Sequence, residues 1–117
     1  MEKVAECSNN VKTTEVIDVK VTNSSNENLG KIFELVINKQ SGQVMYAVLE
    51  SGSILGMGGK LFAIPWKSLR YDTGNDGFIF NCSKEKLKSA PGFDKDNWPK
   101  FSDTLWNNSI NDYYAIS

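Results

Sequence analysis

The residues able to do chemistry are few here and poorly combined. The chain has no histidine, which removes Ser-His-Asp and Cys-His nucleophilic arrangements and any histidine-ligated metal site. Of its two cysteines, Cys7 lies in a polar N-terminal stretch and Cys82 closes an apolar run. A reactive thiol needs a depressed pKa, and the apolar flank of Cys82 works against one, so it reads as a buried structural thiol. Asp94 and Asp96 form a pair of carboxylates two residues apart, but no partner acid or base is evident beside them, so they read as solvated loop charges.

Two loops invite a test for ligand chemistry. Gly52-Ser53-Ile54-Leu55-Gly56-Met57-Gly58-Gly59-Lys60 is glycine-rich enough to cradle a phosphate. Ile54 stands where a Walker A motif needs its first glycine, and Leu61 where it needs Ser or Thr. Leu61 also fills the last glycine position of a dinucleotide fingerprint after Gly56 and Gly58. The plain reading is a hairpin connection whose glycines permit positive φ, and the sharper alternative is an anion nest or partner contact. Asp72-Thr73-Gly74-Asn75-Asp76-Gly77 resembles half of a calcium loop. Gly74 occupies its third ligand position and Ser83 the place of the bidentate glutamate, so a strand-joining turn is the better reading.

One group of side chains keeps two roles open. Phe93, Trp98, Phe101 and Trp106 bring large aromatic area to a segment with no helical or strand period of its own before Ser102. They can cover a small core or anchor in a partner, where tryptophan and tyrosine dominate binding energy. These four are the candidate partner-binding residues. No catalytic, cofactor or metal residue is assigned.

The elements that must position them follow from periodicity. Ile17, Val19 and Val21 alternate with polar residues, the period of a half-buried strand. Leu29 to Ile37 is apolar on both faces, as in a central strand or a closed sheet. Gln43 to Glu50, Lys60 to Trp66 and Phe78 to Phe80 supply further strands, separated by turn clusters. Pro65 belongs at an edge, an end or a bulge, because it cannot donate to a ladder. Ser83 can cap a short helix ended by Pro91-Gly92. Ser102 can cap a final one carrying Trp106, Ile110, Tyr113 and Tyr114 near one face.

Composition bounds the rest. With 117 residues the chain is one small domain with a tail, and its net charge of -1 argues against nucleic acid as the main partner. Lys84, Lys86 and Lys88 enclose Glu85 and read as a solvated helix face. Apolar runs such as Met45 to Leu49 are far short of a bilayer span. Met1 to Asn10 carries no apolar leader run, and the two thiols have no metal-ligand spacing, so a reducing cytoplasm is expected. The alternative is an exported protein whose leader has been removed.

Three segments in one order carry a family resemblance: the glycine loop, Leu61-Phe62-Ala63-Ile64-Pro65-Trp66, and Ala90-Pro91-Gly92-Phe93-Asp94. With Val16-Ile17, Leu29-Gly30-Lys31-Ile32 and Val44 to Val48 before them and Trp98-Pro99 after, the chain resembles the PRC-barrel family. That family includes the barrel of the photosynthetic reaction-centre H subunit and the C-terminal domain of ribosome maturation factors. The tail is similar to that of stand-alone bacterial members. The family often has glycine where Asp18 and Asn26 stand, and aspartate at Glu34 and Asn38. Asparagine tolerates the left-handed turn conformation, and Asp18 is expected to alter one strand edge.

The resemblance implies an all-β fold, a small, partly open antiparallel β-barrel with a short C-terminal helical tail. The expected organisation is a loose leader over 1–13, a β domain over 14–90, and an aromatic arm with the final helix over 91–117, packed on the barrel or on a partner subunit. With no catalytic groups and an aromatic arm, the expected function is a non-enzymatic protein-interaction or adaptor domain without a cofactor, docking on a protein partner or on itself as a homodimer that covers open edge strands. A small-ligand or anion-binding module using Gly52–Lys60 is the alternative.

Overall fold

The computed structural model describes residues 10–51 and 59–115. Cys7 and most of the glycine loop lie outside them. The longest ladder joins β2 (Asn28–Ile37) to β3 (Val44–Glu50), antiparallel, with register irregularities after Ile32 and Val36. Its turn is closed by Asn38, whose Oδ1 accepts from the backbone N–H groups of Gln40 and Ser41 at 2.9 and 3.1 Å. Next, β4 (Lys60–Pro65) pairs antiparallel with β3. Pro65 is its last residue, where the missing N–H does least harm.

A three-residue 3₁₀ turn, Trp66–Ser68, leads to β5 (Leu69–Asp72), which forms a hairpin with β6 (Gly77–Phe80). The short strand β1 (Lys20–Thr22) lies between β6 and β2. The sheet order is therefore β5-β6-β1-β2-β3-β4, with a final strand β7 (Phe93–Asp94) beyond β4.

That order forces curvature. Strands β4 and β5 stand five positions apart in the sheet. A flat sheet would separate them by roughly 24 Å. The link Trp66–Ser68 from Pro65 to Leu69 reaches roughly 14 Å when fully extended. The sheet must curl so that its two sides approach, which gives the expected partly open barrel. One pairing departs from an all-antiparallel order: β6 returns beside β1 in parallel, Val21 opposite Phe78 and Thr22 opposite Ile79.

The first strand is shorter than its alternating pattern suggests. Thr13–Glu15 is a 3₁₀ turn, and Asp18 takes φ +70°. Positive φ cannot continue a strand, so Val16 and Ile17 pack on the core from a turn instead. The Asp18 N–H still reaches the Ile32 carbonyl at 2.7 Å. Asn26 also has positive φ, +63°. Both positions where the family often has glycine are thus left-handed, and Asp18 is more than an edge effect. Asp18→Gly should stabilise the protein by about 0.5–1 kcal/mol, because glycine bears no Cβ penalty there. The ion pair lost, Asp18 to Lys31 at 3.6 Å, is exposed and weak. A thermal melt checks this, and a lowered midpoint would contradict it.

The core gathers Val21, Leu29, Ile32, Leu49, Phe62, Ile64, Phe80 and Leu87, with Ile110 and Tyr114 from the tail. Leu87 comes from α1 (Lys84–Lys88), capped as expected by Ser83, whose Oγ accepts from the Lys86 N–H at 3.1 Å. The last helix, α2 (Thr104–Tyr113), is capped by Asp103 and not by Ser102. Its Oδ1 accepts from the Leu105 N–H at 3.0 Å. Strand β7 was not evident in the sequence. It forms where Gly92 crosses β4, since a Cβ at residue 92 would lie 2.8 Å from the Leu61 carbonyl oxygen and 2.9 Å from the Phe62 ring.

Candidate interaction surface

The four aromatic residues singled out in the sequence converge on one side of the barrel. Gly92 lets β7 lie against β4, which seats Phe93 beside the turn that carries Trp98 and Phe101. Ring centroids of Phe93 and Trp98 are 5.0 Å apart, those of Trp98 and Phe101 6.1 Å, and those of Phe101 and Trp106 5.2 Å. Barrel aromatics extend the row, with Tyr46 5.2 Å from Trp106 and Phe33 6.2 Å from Trp98. The prevailing tilted and edge-to-face geometries are those that aromatic quadrupoles favour.

Polar groups fix the arm in place. The Tyr46 hydroxyl donates to Asn107 Oδ1, while Asn107 Nδ2 donates to the carbonyls of Phe101 at 2.8 Å and Asp103 at 2.7 Å. One side chain thus joins strand, turn and helix. Lys95 Nζ lies 2.8 Å from Glu50 and 5.0 Å above the Phe33 ring, and Trp98 Nε1 donates to the Lys95 carbonyl at 2.7 Å.

The two roles of the arm divide between its members. Phe93, Phe101 and Trp106 are half-buried against the core, so they cover the chain's own barrel. Trp98 stands apart from the core and is 36% exposed. Beside this group lies a cleft of about 450 Å³ lined by Ile37, Met45, Tyr46 and Phe101. Ile37 and Met45 are 55% and 43% exposed, and sequence reasoning missed both. The available signal was a second strand apolar on both faces, of which only one can enter the barrel.

The candidate chemical groups are not poised to react. Cys82 is a buried free thiol whose Sγ lies 3.5 Å from the Ser83 carbonyl. Burial pushes its pKa up, with Lys86 pulling weakly the other way, so it stays protonated near neutrality. In the calcium-like turn, Asp72 spends its carboxylate on the Gly74 N–H at 3.1 Å and on Asn75 Nδ2 at 2.7 Å, closing its own hairpin. Asp94 sits in β7, and Asp96 is exposed. Among the described residues, no group of three or more metal-ligating side chains comes together. Of the glycine loop, only Gly59, at φ +73°, and Lys60 are described.

One buried group gives the protein a pH limit. Tyr114 is 8% exposed, and its hydroxyl has no hydrogen-bond partner among the described residues. Burial holds its pKa far above the ordinary 10.0, and the neighbouring Cys82 and Tyr113 add to the shift. A raised folded-state pKa stabilises the protein below 10.0, and that stabilisation is lost as pH climbs above it, because the unfolded chain ionises first. Urea denaturation should therefore show stability falling above pH 10.0, with a shallower slope for Tyr114→Phe. An unchanged slope would contradict the assignment.

Comparison with protein families matches residues 9–87 to the PRC-barrel domain. No curated protein matches the chain. The match ends inside α1, so the similarity read in Pro91-Gly92 and Trp98-Pro99 lies beyond it.

Proposed function

The chain belongs to the PRC-barrel domain family, a non-catalytic family whose domains mediate protein interactions, and on that premise we propose a non-enzymatic adaptor. It docks on a protein partner or on a second copy of itself through the face built by Trp98, Phe93, Phe101 and Trp106. The observation that carries this reading is division of labour within the arm. Three rings are used up as cover, while Trp98, Ile37 and Met45 remain exposed where a partner could desolvate them. Among the described residues, no helix is long and apolar enough to cross a membrane. The free thiol of Cys82 fits a reducing cytoplasm, with export after loss of a leader as the alternative.

Self-association as a two-fold dimer is the form this docking takes without another protein, since an isologous interface needs one self-complementary patch. Light scattering at high concentration should give twice the 13.1 kDa chain mass. A strictly monomeric chain would sink the dimer.

A further inference from the structure

A second cleft, of about 490 Å³, opens between the Thr13–Glu15 turn and the β5–β6 hairpin. We propose that it takes a lysine or arginine side chain from a partner peptide added as a strand along the free edge of β5. This rests on the reading of the chain as a protein-docking module, and not on which face forms a dimer.

The cleft is walled by aromatic rings. Tyr71 and Phe78 stand directly opposite on β5 and β6, with centroids 5.7 Å apart, and Trp66 lies 5.5 Å from Phe78. The same face of the hairpin carries Leu69 and Phe80, which pack inward with the core. That face thus turns one residue of each strand inward, Leu69 and Phe80, and the one two positions away, Tyr71 and Phe78, toward the opening. Tyr71 is 48% exposed, more than an aromatic committed to its own core.

Charge selects the occupant. Glu15 and Asp76 line the cleft, and among the described residues no lysine or arginine does. Glu15 accepts from the Lys12 N–H at 3.0 Å, and Asp76 accepts from the Tyr71 hydroxyl at 2.6 Å. Each carboxylate keeps accepting capacity beyond these bonds. An apolar side chain entering the cleft would strip water from both without compensation. A cation meets the carboxylates and the ring faces together.

The edge supplies the rest of the site. Among the described residues, β5 pairs with β6 alone, so its outer backbone groups have no strand partner. An added strand would gain main-chain hydrogen bonds from that edge and specificity from the pocket beside it. Tyr71 belongs to both.

The test uses the full chain and fluorescently labelled pentapeptides of sequence Thr-Val-X-Val-Thr, with X arginine, lysine or norleucine, followed by anisotropy. Arginine and lysine peptides should bind about tenfold tighter than norleucine, less so as salt rises. Glu15→Gln with Asp76→Asn should remove that preference while the thermal midpoint holds, since asparagine accepts the φ of +51° at residue 76. Tyr71→Ser should weaken binding several-fold. Trp98→Ala should leave peptide binding unchanged, which separates this site from the docking face above.

Equal affinity for norleucine, or no peptide binding, would overturn the proposal. Methylguanidinium binding as tightly as the peptide would overturn the edge's part in it. Loss of a dimer in the carboxylate variant, without peptide binding, would make this face a self-interface instead.

Discussion

Replacing Gly30 by alanine will remove most of the protein's stability. Gly30 has φ +133°, and a Cβ there would lie 2.3 Å from the Glu50 carbonyl oxygen and 2.9 Å from Ser51 Cβ. Neither obstacle is a flexible side-chain tip. The chain beside them is the ladder itself, with Lys31 opposite Glu50 and Ile32 opposite Leu49. Relief therefore requires β2 and β3 to separate where both are buried. Backbone strain and overpacking together should cost about 3 kcal/mol or more, a large part of a small domain's stability. Urea denaturation of Gly30→Ala checks this, and a loss below about 1 kcal/mol would contradict the packing described.

Cutting the chain after Ala90 should be at least as damaging. The cut removes β7, the aromatic arm and α2, and with them Ile110 and Tyr114, which are 1% and 8% exposed. Each such core loss typically costs about 2–5 kcal/mol. It also uncovers β4, where Leu61 to Ile64 are buried in an unbroken run. A bare apolar edge of that kind pairs with other chains. The truncated chain should aggregate or melt far below the intact one, as read by light scattering and a thermal scan. A soluble, equally stable truncation would show that the tail does not hold the barrel. The family match ends at residue 87, so the cover lies outside the segment that identifies the barrel.

How legible this was depended on how local each signal is. The strands β2, β3, β4 and β6 were readable because apolar runs and turn residues act within a few positions, as at Asn38 and Asp72. Strand β5 was not, because its four residues, Leu69–Asp72, include the polar Arg70 and Asp72 and carry no apolar run. The parallel meeting of β1 and β6 was not, since it follows from closure of the whole sheet. Strand β7 was hidden because its formation depends on Gly92 fitting beneath Leu61, thirty-one positions earlier. The left-handed turn at Asp18 interrupted a clean alternation that pointed to a longer strand.

The candidate residues were legible as a group, because large aromatics in an aperiodic segment must be covered by something or cover something. Their division was not. Which ring stays exposed depends on Asn107 joining Tyr46 to Phe101 and Asp103, a contact across sixty-one residues. Ile37 and Met45 stayed hidden for the same reason, since only the closed sheet decides which face of β2 and β3 meets water. The aromatic cleft at Trp66, Tyr71 and Phe78 likewise needs the Thr13–Glu15 turn brought beside the hairpin.

Docking of this barrel on protein through its aromatic face can be read in a pull-down from the native cell. Tagged intact chain is compared with Trp98→Ala, a change at a residue that stands apart from the buried core. The variant should keep its fold, as seen by circular dichroism, while losing the bound partner or the bound untagged copy. Identical capture by both proteins, at equal amounts of folded bait, would contradict docking through this face.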